Sequence, residues 1–442
     1  MMEDKKIFIN LSNLQLSNSK GVIIACYLMM ISYFYNLPVM NYSIKGENDI
    51  RIYDLVGVYL FYLYLTNIAT INQMITKVKV LNRMFQFLLW TTATLPFTFI
   101  FSVMEGKVMW SVQSMLYLYH FWTFFLASVF LAFIIRDLNQ LKKMVNLCLI
   151  LSIVSFLIVI LQNFEIVPFL WSDSYKESYL GFLSGTFGPN KIVVGMSSLI
   201  MLIFSLGLFN DSRVKISKTL LIVNIGMSLL ALIMSGSRTS YVGLGVFAAY
   251  FLLKDAPKFV ASLVVLVSLF FTVSYLNPKV IEKATEIYQN RVDKKIKDPK
   301  SLNDARVDKL YKDLGAGRDR LSASYVEYLL EKPYIIPFGI GFNNRLIIGF
   351  SAHNIYLSLI NEVGILGLFL YLRWMFSYFS VNMRFFAQMQ TALKGLVIAM
   401  LVTLCFGEHL YVYRPLFGLV GLFLFITTFL LSPIYIVANE TK

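Results

Sequence analysis

Charge, cysteine and histidine are all scarce in this chain. Asp, Glu, Lys and Arg make up 14% of its 442 residues, and it holds three cysteines and three histidines. Cys26, Cys148 and Cys405 lie far apart inside apolar runs, without the spacing of a metal site, and read as core thiols. No zinc, calcium or haem pattern is present. Also missing are a P-loop, a dinucleotide fingerprint, an Asp-x-Asp pair for a metal-bound nucleotide sugar, and an HExxH helix. A reaction carried out by this chain is therefore expected to use no ATP, no metal and no cofactor.

What is abundant is apolar surface. The chain is 57% hydrophobic and 16% aromatic, with a mean hydropathy of +0.67. Runs of about twenty apolar residues, the length that crosses a bilayer, recur from end to end. The expected fold is an all-α polytopic membrane protein, one integral-membrane domain over 1–442, without internal repeats. The first nineteen residues are polar and no small-residue cleavage site follows the first apolar run, so the N-terminus is expected to be retained.

Twelve spans are expected, near 20–39, 52–72, 84–104, 111–135, 144–163, 190–209, 219–234, 238–253, 259–276, 353–372, 395–408 and 415–436. The net charge of +14 fits this arrangement better than a nucleic-acid partner. Lysines and arginines concentrate in loops on the side of the N-terminus, among them Lys77, Lys79, Lys142, Lys143, Lys215 and Arg373. Loops rich in Lys and Arg stay in the cytoplasm, which puts both termini there. Two segments on the other side exceed a tight turn. The first, 164–189, ends in Gly185-Thr186-Phe187-Gly188-Pro189-Asn190-Lys191. The second, 277–352, is a long charged loop. Helical spacing recurs in it at Val280, Ile281, Ala284, Ile287 and Tyr288, and again at Leu321, Tyr325, Tyr328 and Leu329, which predicts short helices covering the outer mouth.

Polar residues gather at that outer face: Lys191, Arg238, Arg318, Arg320, Arg345, His353, Glu408, His409 and Arg414. Arg238 follows the short turn Ser235-Gly236-Ser237, so it sits at the membrane boundary. It reads either as an anchor to headgroups or as an anion site, because a guanidinium fork matches phosphate oxygens. His353 stands where the long loop ends and an apolar helix begins. The positive end of the helix dipole lowers proton affinity there, which suits a general base. Continued helical rotation at about 100° per residue would bring Gly364 and Gly367 to the same face as His353. The histidine would then stand above a groove that admits either a lipid chain or, as the favoured use, a closely packed helix. Glu408-His409 reads equally as a solvated turn or as an acceptor-binding element. Asn361 and Glu362 read as a buried polar bridge or as intramembrane functional groups.

These residues carry a resemblance. His353-Asn354, nine residues, then Gly364-Ile365-Leu366-Gly367 resembles the H-[N/S/Q]-x9-G-x-x-[G/T/Y] motif of the O-antigen ligase family, whose superfamily includes the Wzy-type O-antigen and capsule polymerases. Ser235-Gly236-Ser237-Arg238 is similar to the superfamily's Ser-x-Ser-Arg step. Arg318 or Arg320 followed by Pro337-Phe338-Gly339-Ile340-Gly341 resembles the arginine and P-x-x-G-x-G region before the histidine.

The resemblance implies a GT-C-like membrane glycosyltransferase of about twelve transmembrane helices with one long extracytoplasmic loop. It would move a glycan from undecaprenyl diphosphate to an acceptor hydroxyl on the periplasmic side of the cell inner membrane. Arg238 would act with His353 in catalysis. Arg238, Arg318, Arg320, Arg345 and Lys191 would hold the diphosphate, and Asn354, Glu408 and His409 the acceptor. Partners would be the undecaprenyl-diphosphate-linked oligosaccharide, membrane lipid, and the chain-length regulator and flippase of the same pathway. Within the superfamily the reading leans to a Wzy polymerase, because the likeness to the ligase is confined to the shared core. The Arg-x10-Gly pattern of one polymerase subtype is absent after Arg238 and Arg320. The alternatives are an O-antigen ligase acting on lipid A-core and, from another class, a transporter or flippase. Transport is disfavoured because the polar residues crowd one face and the two halves of the chain are unlike.

Overall fold

The computed structural model describes residues 20–41, 49–135, 137–172, 183–211, 215–276, 318–344, 351–381, 387–411 and 417–431, together with positions 278, 282, 285, 286 and 289. The described residues are almost entirely helical. The helices are α1 (Lys20–Phe34), α2 (Ile52–Thr66), α3 (Ile68–Lys77), α4 (Lys79–Ala93), α5 (Leu95–Met104), α6 (Met109–Ile134), α7 (Leu138–Asn163), α8 (Lys191–Asn210), α9 (Lys218–Met234), α10 (Arg238–Lys254), α11 (Ala256–Leu276), α12 (Arg318–Glu331), α13 (Ile355–Ser377), α14 (Ala387–Thr403) and α15 (Phe417–Leu431). One two-residue antiparallel pair, Met40–Asn41 with Asp49–Ile50, joins α1 to α2.

Helix starts follow local side-chain chemistry. Asp137, Asn190 and Asn354 each accept a backbone N–H of the first turn, from Gln140 at 2.7 Å, Ile192 at 2.8 Å and Tyr356 at 3.0 Å. A helix lies under each of the twelve expected stretches, yet among the described residues length and apolarity qualify six as crossings: Lys79–Met104, Met109–Ile134, Leu138–Asn163, Lys191–Asn210, Ile355–Ser380 and Met389–Phe406. A seventh arises if α2 and α3, bent by 94° at Asn67, count as one. This is the pattern of a polytopic membrane protein. The expected twelve crossings exceed it because α1, α9 and α15 are short, α2 breaks, and α10 and α11 are not among the six that qualify.

Two helices form the centre. In α6 and α8, 89% of the apolar stretch is buried, against 33% in Lys79–Met104. Helices α9, α10, α14 and α15 surround α8, while α1, α2, α5 and α15 surround α6. Apolar packing alone distinguishes helices poorly when lipid is equally apolar, so buried amides set register. Asn224 of α9 donates to the Leu149 carbonyl at 3.1 Å and to Ser152 on α7, and accepts from Ser205 of α8 at 2.9 Å.

Helix α13 departs from the expected geometry. His353 lies before the helix, with Asn354 as its cap, and Gly364 breaks the helix with φ 75° and ψ 177°. No continuous face therefore runs from His353 to Gly364 and Gly367, and the expected groove does not form. The break exposes backbone groups that an apolar interior cannot leave unsatisfied. The segment 336–343 supplies their partners. Ile340 N–H donates to the Asn361 carbonyl at 2.9 Å, Gly341 N–H to that of Glu362 at 2.7 Å, and Ile365 N–H to that of Ile336 at 2.8 Å. Trp90 Nε1 of α4 donates to the Val363 carbonyl at 2.8 Å, and the Glu362 carboxylate accepts Asn343 N–H at 2.8 Å.

Gly339, at φ 74°, and Gly364 let the two backbones touch: a Cβ on either would overlap backbone atoms of the other segment. The motif glycines thus form a backbone lock. Asn361 and Glu362 are each 1% exposed; the Glu362 carboxylate is a buried bridge, whereas the Asn361 side-chain oxygen meets no partner among the described residues.

The predicted helix over Leu321, Tyr325, Tyr328 and Leu329 is α12. It buries Tyr325, Tyr328 and Leu329 and rests on α13. Val280, Ile281, Ala284, Ile287 and Tyr288 lie outside the described residues, as do the termini. Cys26 and Cys148 are core thiols as expected, but Cys405 is exposed, because a 3-10 turn over Leu404–Phe406 rotates it out of the bundle.

Candidate active site

Lys191 and Arg238 are the first residues of α8 and α10. Gly195, one turn below Lys191, lies directly against Ser235, Ser237 and Ser240, with no room for a Cβ. The small residues before Arg238 thus bring two helix N-termini together, each with its positive dipole end and a half-buried cation. Ser240 Oγ donates to Ser237 Oγ at 2.9 Å, and Tyr241 Oη ties the turn to the Ile233 carbonyl at 2.6 Å.

Helix α10 runs antiparallel to α14, with Gly243 facing Thr403 and Gly395 facing Phe247. Past Thr403 the chain turns through Glu408-His409. His409 Nε2 and Thr403 Oγ1 share a hydrogen bond of 3.0 Å. Glu408 accepts from Ser351 Oγ through one oxygen and from Ser358 Oγ through the other. Ser351 Oγ in turn accepts His353 N–H at 3.1 Å, and Tyr356 Oη donates to the Leu401 carbonyl at 2.6 Å. Through Gly195, Gly243 and Thr403, the starts of α8 and α10 therefore lie at the same end of the bundle as the Glu408-His409 turn and the His353-Asn354 segment.

The turn holding Glu408 and His409 is closed to solvent, with exposures of 4% and 0%. The solvated reading fails because Ser351, Ser358 and Thr403 replace water. His353 is half-buried and adopts φ 52°, a left-handed conformation that few non-glycine residues take. Asn354, expected in acceptor binding, uses its side-chain oxygen to cap α13.

Arg318 and Arg320 begin α12, and Ser322 on its next residues donates to the Ala352 carbonyl, beside His353, at 3.3 Å. The side chains of Arg318 and Arg320, and all of Arg345 and Arg414, lie outside the described residues. On the buried face of α12, burial, then Tyr334 and Glu105, pushes the Tyr328 phenol up to about 12. It stays protonated at neutral pH.

A second polar cluster near this end went unnoticed in the sequence. Arg51, 3% exposed, donates to Asn36 at 3.1 Å and to Tyr53 Oη at 3.3 Å, and lies 5.7 Å from the Trp171 ring. Asn36 holds the turn leading to Lys191 through the Thr186 and Phe187 carbonyls. Asp54 accepts Arg51 N–H at 2.8 Å and pairs with His120 Nε2 at 2.5 Å. An acid and a histidine inside apolar stretches were the available signal.

Neither the curated proteins nor the solved structures gave a match. Residues 222–372, a third of the chain, match a family model, Wzy_C, described as O-antigen ligase. That segment runs from α9 through Arg238, the backbone lock and His353 to α13, so the match supports membership of the O-antigen ligase and Wzy-type superfamily, whose members are glycosyltransferase-like enzymes.

Proposed function

We propose that the protein is a membrane glycosyltransferase that moves a glycan from undecaprenyl diphosphate to an acceptor hydroxyl outside the cytoplasmic membrane, as a Wzy-type polymerase. The observation that carries this reading is that the two cationic helix starts, at Lys191 and Arg238, lie at the same end of the bundle as His353. The acceptor oxygen bonds to the anomeric carbon, while the bond from that carbon to the diphosphate oxygen breaks. His353 takes the hydroxyl proton, and the lipid diphosphate leaves with the electron pair. Arg238 and Lys191, with Arg318 or Arg320 and Arg345, neutralise the charge growing on the leaving group. A preorganised donor of this kind contributes roughly 10²–10³-fold, and a general base roughly 10²–10⁴-fold.

No metal or cofactor enters the scheme. The site faces the periplasm, both termini are cytoplasmic, and a chain-length regulator and flippase act beside the enzyme. Glu408 and His409 stand behind the acceptor site, because both are buried and bonded to protein. The matched family's description favours a second reading, ligation to lipid A-core.

Purified protein supplied with a lipid-linked repeat unit and no lipid A-core tests the choice. Long glycans are expected, made equally well in EDTA, and lost in His353→Ala and Arg238→Ala at matched protein levels. Product only after lipid A-core is added means ligase. No glycosidic product with either acceptor returns the chain to the transporter reading.

A further inference from the structure

Glu408 lies 55 residues beyond His353 in the chain, yet the polar contacts around the histidine are rooted in it. Its own turn is rigid: His409 is held by Thr403, and Tyr411 N–H donates to the Glu408 carbonyl at 3.1 Å. Its carboxylate receives the hydroxyl protons of Ser351 and Ser358, on either side of His353. A serine hydroxyl has one proton to give. With that proton committed to a buried carboxylate, Ser351 presents its lone pairs, and His353 N–H donates into them at 3.1 Å.

This contact falls where the chain needs it. Among the described residues, only Glu165, Asn343 and His353 are non-glycine residues with positive φ. A left-handed backbone crowds the β-carbon, so surrounding contacts must over-determine it. Two residues later α13 begins, and the Asn354 cap and the Ser358 bond to Glu408 fix its first turn. The backbone before and after the imidazole is thereby clamped to one carboxylate.

We propose that Glu408 is a positioning residue, which acts through Ser351 to hold the His353 backbone in its left-handed conformation and so aims the imidazole at the acceptor. The proposal rests on the reading of His353 given above. It assigns Glu408 no contact with either substrate.

The test is steady-state transfer by the purified full-length enzyme in Glu408→Gln, Ser351→Ala, Ser351→Thr, Ser358→Ala and the Ser351→Ala/Glu408→Gln double variant. His353→Ala is measured alongside. Glu408→Gln and Ser351→Ala should each lower kcat by on the order of 10²-fold, the usual consequence of misplacing a reacting group by about 1 Å, with the KM for the lipid-linked donor unchanged. The double variant should be no worse than either single one. Ser351→Thr, which keeps the hydroxyl, should recover most of kcat. Ser358→Ala should lose far less, because Ser358 does not touch His353.

Additive losses, an equal loss in Ser358→Ala, or normal kcat in Ser351→Ala would overturn the proposal. Should Glu408→Gln also lower the thermal midpoint, the comparison of Ser351→Ala with Ser351→Thr still decides. Full activity in His353→Ala would instead overturn the reading of the site itself.

Discussion

Asp54 and Glu408 are both largely enclosed carboxylates near the same end of the bundle, and each lies beside a segment that carries a histidine. Asp54 sits within a helix and pairs directly with the His120 ring across the contact of α2 with α6, while its other oxygen caps α2. Glu408 sits in a loop, and its contacts run to two serines and through one of them to a backbone N–H. The first arrangement joins helices that already pack, so its worth is stability. The second fixes a loop that has no helical ladder of its own, so its worth is geometry at the site.

Three substitutions would break or sharpen that contrast. Asp54→Ala leaves His120 enclosed without its carboxylate and should cost about 4 kcal/mol, within the range for breaking a buried pair. The thermal midpoint in detergent should fall sharply, while transfer per folded molecule stays near normal. A normal midpoint with lost turnover would invert the contrast between the two acids.

Gly364→Ala forces a β-carbon onto the Pro337 carbonyl at φ 75° and should cost about 3 kcal/mol. Denaturation curves should show the loss. A neutral result would mean that the backbone lock is dispensable. Asn354→Ala removes the cap of α13 and should cost about 1 kcal/mol. Because the cap adjoins His353, kcat should fall more than this small change in stability suggests. A fall in stability alone, with kcat intact, would make Asn354 purely structural.

How far the site was legible depended on the range of the forces involved. The helix over Leu321–Leu329 was legible because a 3.6-residue apolar period is a local signal. So was a helix start at His353-Asn354, because Asn caps within its own turn. The broken helix was not legible. Gly364 takes either sign of φ with equal ease, and what selected the break was a set of donors and acceptors at 336–343 and Trp90. Glu408-His409 read equally as a solvated turn or an acceptor-binding element because its partners, Ser351 and Ser358, lie 57 and 50 residues away.

By itself the sequence determined that this chain is a bundle of apolar helices, with its cations and histidine motif in loops and at helix starts. Apolar run length, capping side chains and charge placement act within a few residues, so they can be read without knowing the fold. The tertiary structure alone decided that the motif glycines form a lock and not a groove, and that Glu408 faces protein and not solvent. Both outcomes come from satisfying polar groups inside an apolar interior, where each partner must be found in space and not along the chain.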